Sequence, residues 1–184
     1  NPLHTALAIY GCLLDYKKIS DEMRDDELTK LIKTIGYKEG LPVVTNPGII
    51  NPKDFIDTVV KVRLPNPFMP DTPQRIACDT SQKLAIRFGE TVKAYEKSDS
   101  LKVSDLKLIP LVFAGWARYL MGIDDNLNKF ELSPDPLLEK VVPMLADIKI
   151  GDIDIHSKLE KLFSDASIFG VNLYDVGLGE KSEK

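Results

Sequence analysis

The segment 105–121 constrains the fold of this chain more than any other, because it is apolar on nearly every side of a predicted helix. Its apolar residues leave no polar face: Leu106, Leu108, Ile109, Leu111, Val112, Phe113, Trp116, Tyr119 and Leu120. A helix of this kind has to be covered by other elements. We therefore expect it to form the core of a helical domain, with Pro110 in its first turn or at a kink.

Apolar residues at a period of 3.6 predict further helices around this core. With the core helix, the predicted segments are 2–16, 20–36, 52–62, 72–97, 105–121, 135–147 and 155–168. Asn1, Ser20 and Asn51 are placed as N-caps. The segment 41–52 is predicted to be a loop, because it contains Pro42, Pro47, Gly48 and Pro52. No segment alternates like a strand, so we predict an all-α fold of about seven helices in one domain, 1–184.

Composition and charge exclude several classes of protein. The chain has 184 residues and a formal net charge of −4, without a basic patch for nucleic acid or an anionic membrane surface. No run of about 18 apolar residues predicts a membrane span. Cys12 and Cys78 are too few for a disulfide framework and read as thiols in a reducing compartment, so we expect a cytoplasmic protein.

The start of the first helix carries the first candidate site. Asn1 and His4 lie on one turn at the helix N-terminus, where free N–H groups favour negative charge. An amide and an imidazole there can hold the oxygen of a carbonyl or alkoxide. The alternative is that Asn1 only caps and His4 only packs. His156, the second histidine, reads as a surface residue, and no metal-ligand spacing is present.

The second candidate site is a charged stripe on the predicted helix 72–97. Arg75, Asp79, Lys83 and Arg87 follow one another at intervals of four residues. Such a stripe is either a solvated row of salt bridges or a cationic wall for a hydroxylated or anionic ligand, with Asp79 orienting the cations. Spacing alone leaves both interpretations open.

Four blocks of sequence then point to a known family. In chain order they are Asn1-Pro2-Leu3-His4 with Ala8-Ile9-Tyr10-Gly11; Leu64-Pro65-Asn66-Pro67 with Asp71-Thr72-x-x-Arg75-Ile76; Cys78-Asp79-Thr80-Ser81-Gln82-Lys83-Leu84; and Phe169-Gly170-Val171-Asn172-Leu173. Together they resemble the C-terminal domain of the long-chain mannitol dehydrogenases. That family has Asn-x-x-His before an apolar helix and Asp-x-x-x-Arg further on. The resemblance covers essentially the whole chain.

The resemblance implies roles for four residues. Asn1 would help to hold the substrate oxygen that becomes an alkoxide, and His4 would bind and position the substrate hydroxyl. Arg75 and Lys83 would contact the rest of the substrate. The family's proton-transferring lysine lies five positions before the asparagine, so it would precede Asn1. The reaction in the family uses no metal.

The resemblance also implies the setting of the site. The chain would be a fragment, an all-α substrate-binding domain whose partner is its own N-terminal Rossmann domain. That domain would bind most of the NAD or NADP, and the isolated chain would be inactive. The small-molecule substrate would be a sugar acid or polyol: D-mannonate and fructuronate, tagaturonate and altronate, or mannitol and fructose. A non-catalytic helical interaction module remains the alternative from another class.

Overall fold

The predicted all-α fold is confirmed by the computed structural model, which describes residues 1–46 and 48–184. Pro47 lies outside the described residues, so the loop prediction for 41–52 is compared with the structure at the other positions only. The described part of the chain contains no strand and one isolated bridge between Ile123 and Lys129. None of its helices combines the length and the apolar character that crossing a bilayer requires.

The helices are numbered in chain order. The α-helices are α1 Pro2–Leu13, α2 Ile19–Glu22, α3 Asp26–Thr34, α4 Pro52–Thr58, α5 Pro73–Ile76, α6 Thr80–Leu84, α7 Glu90–Lys97, α8 Leu108–Leu120, α9 Leu138–Val141, α10 His156–Phe163, α11 Ala166–Phe169 and α12 Gly179–Glu183. Three π-helical segments continue α3, α4 and α6: Ile35–Gly40, Val59–Arg63 and Ala85–Gly89. Three 3₁₀ turns complete the set: Leu41–Val43, Val103–Asp105 and Val142–Leu145.

The centre of the fold is α8, as predicted from its apolar sequence. It is packed by α1 on one side and by α12 on another. Trp116 and Phe113 are fully buried and meet the ring of Phe169 edge-on. Close approach of α1 needs a glycine, because a Cβ on Gly115 would lie 2.7 Å from the Tyr10 hydroxyl oxygen. Pro110 lies in the first turn of α8, where proline is tolerated.

The buried N-terminus of α8 is capped from a distance. The carboxylate of Glu39 accepts hydrogen bonds from the backbone N–H groups of Lys107, Leu108 and Ile109 at 2.6–2.8 Å. The buried carboxylate of Glu39 thereby pairs three backbone N–H groups that would otherwise lack acceptors. Its negative charge also interacts favourably with the positive end of the helix dipole. The Tyr95 hydroxyl also donates to the Glu39 carbonyl, which ties α7 to the same point.

The predicted helix 20–36 is wrong in its start and in its continuity. A short α2 begins at Ile19, and Ser20 lies inside it, buried, instead of capping it. The chain then turns, and Asp25 caps α3 by accepting from the N–H groups of Glu27 and Leu28. Asp25 is a residue type that caps helices, but several acidic residues lie close together here. The sequence alone does not show which of them begins the helix.

The predicted helix 72–97 is also wrong, because it is broken at Asp79. Asp79 adopts a left-handed backbone (φ 57°), and its N–H is bonded to the carbonyl of Pro134 instead of to the preceding turn. Beyond the break, the chain runs helically from Thr80 to Lys97, with a π-helical stretch where Gly89 meets the Phe169 carbonyl. A Cβ on Gly89 would lie 2.1 Å from that oxygen.

The remaining helix predictions hold with shorter bounds. Helix 52–62 has its Asn51 cap and continues as a π-helical segment. Helix 135–147 is reduced to α9 and a 3₁₀ turn, and helix 155–168 is divided at Ser164 into α10 and α11. At the C-terminal end, α12 is anchored by the buried residues Leu178 and Ser182.

Replacing Glu39 with Gln is expected to lower the free energy of unfolding by about 2–4 kcal/mol. The amide of Gln keeps one acceptor oxygen, but its NH₂ group would face backbone N–H groups, which are donors as well. Chemical denaturation of the purified chain measures the difference. Glu96→Gln, at an exposed position on α7, is the matched control and should change stability by less than about 0.5 kcal/mol. Equal effects of the two variants would contradict the capping role.

Replacing Glu22 with Gln is expected to stabilise the chain increasingly as the pH rises. Burial raises the pKa of Glu22 from 4.5 to about 9, and neither carboxyl oxygen has a hydrogen-bond partner. The folded chain therefore keeps the proton that the unfolded chain releases above pH 4.5, at about 1.4 kcal/mol per pH unit. The stability gain of the variant should be about 3 kcal/mol larger at pH 7 than at pH 4.5.

Urea unfolding at pH 4.5, 6, 7 and 8 measures this difference, with Glu96→Gln as the exposed control. A difference between Glu22→Gln and the unaltered chain that is constant with pH would show that Glu22 is ionised in the folded protein.

Candidate active site

The N-terminus of α1 places Asn1 and His4 on the first turn, as predicted. The Asn1 Oδ1 atom accepts a hydrogen bond from the N–H of Leu3 at 3.0 Å, so the side chain caps the helix. Pro2 occupies the first helical position, where no backbone donor is needed. Asn1 itself is exposed, whereas the rest of α1 is largely buried. The cap holds the helix end at the surface and aims His4 into a cleft beside it.

His4 faces Asp71 across this cleft. Its Nε2 atom is 3.5 Å from the Asp71 Oδ2 atom and is buried without a hydrogen-bond partner. The two side chains line a cavity of about 80 Å³ with Asn1, Asn66 and Arg63 among its other walls. A ring nitrogen and a carboxylate therefore meet at the helix N-terminus, beside space for a small polar group.

The electrostatics of the cleft keep His4 neutral. Burial lowers the pKa of His4, the carboxylate of Asp71 opposes that effect, and the positive charges of Arg87 and Lys83 lower the pKa further. The net lowering of the pKa favours the uncharged ring. A neutral imidazole has one donor and one acceptor nitrogen, and its partners decide which is which.

The two predicted substrate-binding cations lie at different distances from this cleft. Arg75, exposed on α5, reaches Asp71 with its guanidinium, whose NH1 atom is 3.6 Å from Oδ1. Lys83, on α6, is half-buried, and its ammonium donates to the carbonyl of Ile76 at 2.7 Å. Neither residue lines the small cavity with His4, although the charge of Lys83 is felt by His4.

The single cationic stripe predicted over 72–97 is wrong, because Asp79 breaks the helix that would carry it. Arg75 lies before the break, and Lys83 and Arg87 lie after it. The orienting role considered for Asp79 is not supported either, since among the described residues no ion pair includes its carboxylate. The carboxylate that contacts Arg75 is Asp71.

Arg87 is a residue of this region that the predicted site set omitted. Its NH1 atom donates to the Thr5 hydroxyl at 2.7 Å and to the Asn1 carbonyl at 3.3 Å. A cation is unfavourable at a helix N-terminus unless an anion is also bound there. These two hydrogen bonds hold the guanidinium of Arg87 in place, so its positive charge lies beside Asn1.

Asp71 is the second residue that the site prediction missed. It was part of the quoted Asp71-Thr72-x-x-Arg75 block but received no role of its own. Its position just before Thr72, the N-cap of α5, was a readable signal that it lies at a helix start. Its contact with His4 was not readable, because 67 positions separate the two residues.

The cleft can therefore polarise an oxygen atom. It offers a neutral imidazole, an amide, a carboxylate and nearby cations at a helix N-terminus, the arrangement expected where negative charge develops on oxygen. Among the residues that the structure describes, no three His, Cys, Asp or Glu side chains are grouped closely enough to hold a metal ion. Both cysteines are free.

The described residues thus form a helical domain with a histidine–carboxylate cleft at a helix N-terminus. Residues 1–179 match the family model described as the mannitol dehydrogenase C-terminal domain. The chain therefore belongs to that family, as the motif resemblance predicted.

Individual relatives agree with this assignment. The chain is 58% identical over 185 aligned positions to D-mannonate oxidoreductase of Thermotoga maritima, covering 100% of the chain and 34% of that protein. It is 25% identical over 174 positions to mannitol 2-dehydrogenase of Emericella nidulans, covering 94% of the chain and 32% of the relative. The chain thus spans about a third of the length of these curated relatives.

A solved structure shares the fold. The Pseudomonas fluorescens mannitol 2-dehydrogenase, determined as a ternary complex with NAD and D-mannitol, matches with a TM-score of 0.84 and 23% sequence identity. The match covers 100% of this chain and 35% of that one. The likeness extends over all the helices and establishes the architecture.

The two histidines should make opposite contributions to the pH dependence of stability. Burial lowers the pKa of His4 in the folded chain. The stability that neutral His4 contributes is therefore present above pH 6.5 and is lost as the pH falls through the folded pKa. The pKa of His156 is raised by its hydrogen bond to Glu183, so its contribution is present below pH 6.5 and is lost as the pH rises.

Melting temperatures of His4→Gln and His156→Gln between pH 5 and 8 test this expectation. Relative to the unaltered chain, His4→Gln should improve toward pH 5, whereas His156→Gln should improve toward pH 8. Parallel curves for both variants would contradict the neutral, buried state assigned to His4.

Proposed function

We propose that this chain is the substrate-binding domain of an NAD-dependent oxidoreductase that interconverts D-mannonate and D-fructuronate. The observation that carries the proposal is the 58% identity to D-mannonate oxidoreductase over the whole chain. Mannitol and fructose form the second candidate pair, favoured by the weaker similarity to mannitol 2-dehydrogenase. Neither comparison supports the alternative of a non-catalytic interaction module.

In the proposed reaction, a secondary alcohol loses a hydride and a proton and becomes a ketone. A bound nicotinamide cofactor would supply the hydride-accepting and hydride-donating chemistry. The residues of this chain then act on the oxygen. Asn1 would hold it while charge develops, next to the positive charge of Arg87 and the N-terminus of α1, and His4 would bind and position the hydroxyl. The proton acceptor is a lysine in the part of the protein that precedes Asn1.

The cationic residues fit an acidic sugar. Arg75 is exposed, and its contact with Asp71 is a 3.6 Å ion pair without bidentate geometry, so its guanidinium is open to a second carboxylate. Lys83 lies close enough to influence His4. A sugar acid bound with its hydroxyl at His4 would thus find cations along the rest of its length. Neutral polyols lack the carboxylate and gain only hydrogen bonds there.

The remainder of the protein is proposed to dock beside Asn1. A cavity of about 480 Å³ opens there, lined by Asn1, Arg87 and mostly apolar side chains. Ile49, at its edge, is 89% exposed, and Phe68, in the nearby connector, is 92% exposed. Exposed apolar groups of this size mark interaction surfaces. The partner we assign is the protein's own N-terminal Rossmann domain.

The same surface fits a nicotinamide cofactor in part. The apolar cavity beside Asn1 can receive a flat ring or apolar side chains, but the sequence has no glycine-rich loop for phosphates. NAD, or NADP, would therefore be held mainly by the other domain. A cytoplasmic location is part of the same proposal, since the free Cys12 and Cys78 suit a reducing compartment.

The test uses the full-length protein that contains this chain. NADH and NADPH oxidation is followed at neutral pH, without added metal, with fructuronate, tagaturonate, fructose and fructose 6-phosphate. We expect turnover of fructuronate with NADH and a loss of about 100-fold or more in kcat/KM for His4→Ala, because the imidazole that binds and positions the substrate hydroxyl is removed.

His156→Ala is the matched control, since His156 is exposed and lies on α10, and it should retain full activity. The 184-residue chain alone should show no turnover. Robust turnover by the isolated chain, or fructose accepted in preference to fructuronate, would contradict the proposed function.

A further inference from the structure

The side chain of Asp71 contacts two of the four predicted site residues, His4 and Arg75. Its Oδ2 atom is 3.5 Å from His4 Nε2, and its Oδ1 atom is 3.6 Å from Arg75 NH1. The carboxylate is only 18% exposed, less than the side chain of either partner. It comes directly before α5, whereas His4 is on α1, so it joins two helices at the mouth of the cleft.

We propose that Asp71 is a positioning residue of the reaction, which orients the His4 ring and holds Arg75 toward the substrate. The proposal rests on the proposed function for its activity measurements. Asp71 acts through the two residues that touch substrate and does not contact the reacting atoms itself.

The geometry explains what Asp71 supplies. The buried Nε2 atom of His4 has no hydrogen-bond partner, and the Asp71 carboxylate is the acceptor that faces it. A proton held on Nε2 by that carboxylate leaves the lone pair on Nδ1. Nδ1 can then accept a hydrogen bond from a substrate hydroxyl. The 3.5 Å separation is long for a hydrogen bond, and we expect it to shorten when substrate binds.

Charge complements this geometry. Asp71 is the anion among the charged groups that act on His4, and the others are cationic. The charged groups that face the ring from the surrounding elements are Asp71, Lys83 and Arg87, with Arg63 on the wall of the same cavity. Removing the carboxylate therefore leaves the ring among cations alone.

The experiment compares Asp71→Asn with Asp99→Asn in the full-length protein. Asn preserves size and removes the charge, and Asp99 is an exposed aspartate in the loop after α7. The first readout is the pKa of His4, from histidine-selective NMR titration with the signal assigned by its absence in His4→Ala. Asp71→Asn should lower that pKa by about one unit, whereas Asp99→Asn should leave it unchanged.

The second readout is a double-mutant cycle on kcat/KM. Asp71→Asn alone should reduce kcat/KM by about 10- to 100-fold, as expected when a reacting group is misaligned. In the His4→Ala background the same change should cost much less, because its target is absent. Asp71→Glu, which keeps the charge, should recover part of the activity.

The outcomes separate this inference from the proposed function. A shifted His4 pKa with a non-additive cycle supports the positioning role. An unshifted pKa, or an additive cycle at normal thermal stability, overturns it while the proposed function stands. If the unaltered protein turns over none of the substrates, the proposed function fails, and the titration still decides whether Asp71 acts on His4.

Discussion

The fold depends on the burial of one apolar helix end. Most of α8 is buried, and the N–H groups of its first turn need acceptors, which the protein itself supplies. Glu39 supplies both carboxylate oxygens to three of them, and its backbone carbonyl accepts from Tyr95. A buried charge is stable only when hydrogen bonds of this kind replace its water. The π-helical segment that carries Glu39 is thereby fixed against α7 and α8.

The position of the cleft follows from the same packing. α1 lies on α8 and α5, and the glycines Gly11 and Gly115 allow this close approach: a Cβ on Gly11 would lie 2.6 Å from Pro73. With α1 held in this way, its Asn1-capped end projects beside the segment that leads into α5. His4 meets Asp71 because two helices start at the same place, not because the two residues are close in sequence.

Local signals in the sequence were sufficient for part of this structure. The core helix, the Asn1 and Asn51 caps and the helical class follow from apolar periodicity and capping chemistry, which act over a few residues. The break at Asp79 did not follow, because the Pro134 carbonyl that receives its N–H is 55 positions away. The Glu39 cap was equally hidden. Of the site, Asn1 and His4 were predicted from one turn of helix, whereas the Asp71 contact depends on tertiary packing.

The break at Asp79 also decides how charge is distributed around the cleft. On one straight helix, Arg75, Lys83 and Arg87 would lie in a row on the same face and point the same way. In the broken chain, Arg87 reaches back to the Asn1 carbonyl, and Arg75 reaches Asp71. One cation is thus aimed at the helix end where an oxyanion would form, and the other is held by a carboxylate at the rim. Since a fixed charge next to a desolvated oxygen is worth more than one in water, this division places the stronger electrostatic effect where negative charge develops. In the proposed function, the more exposed cation at the rim, Arg75, would recognise the rest of the ligand.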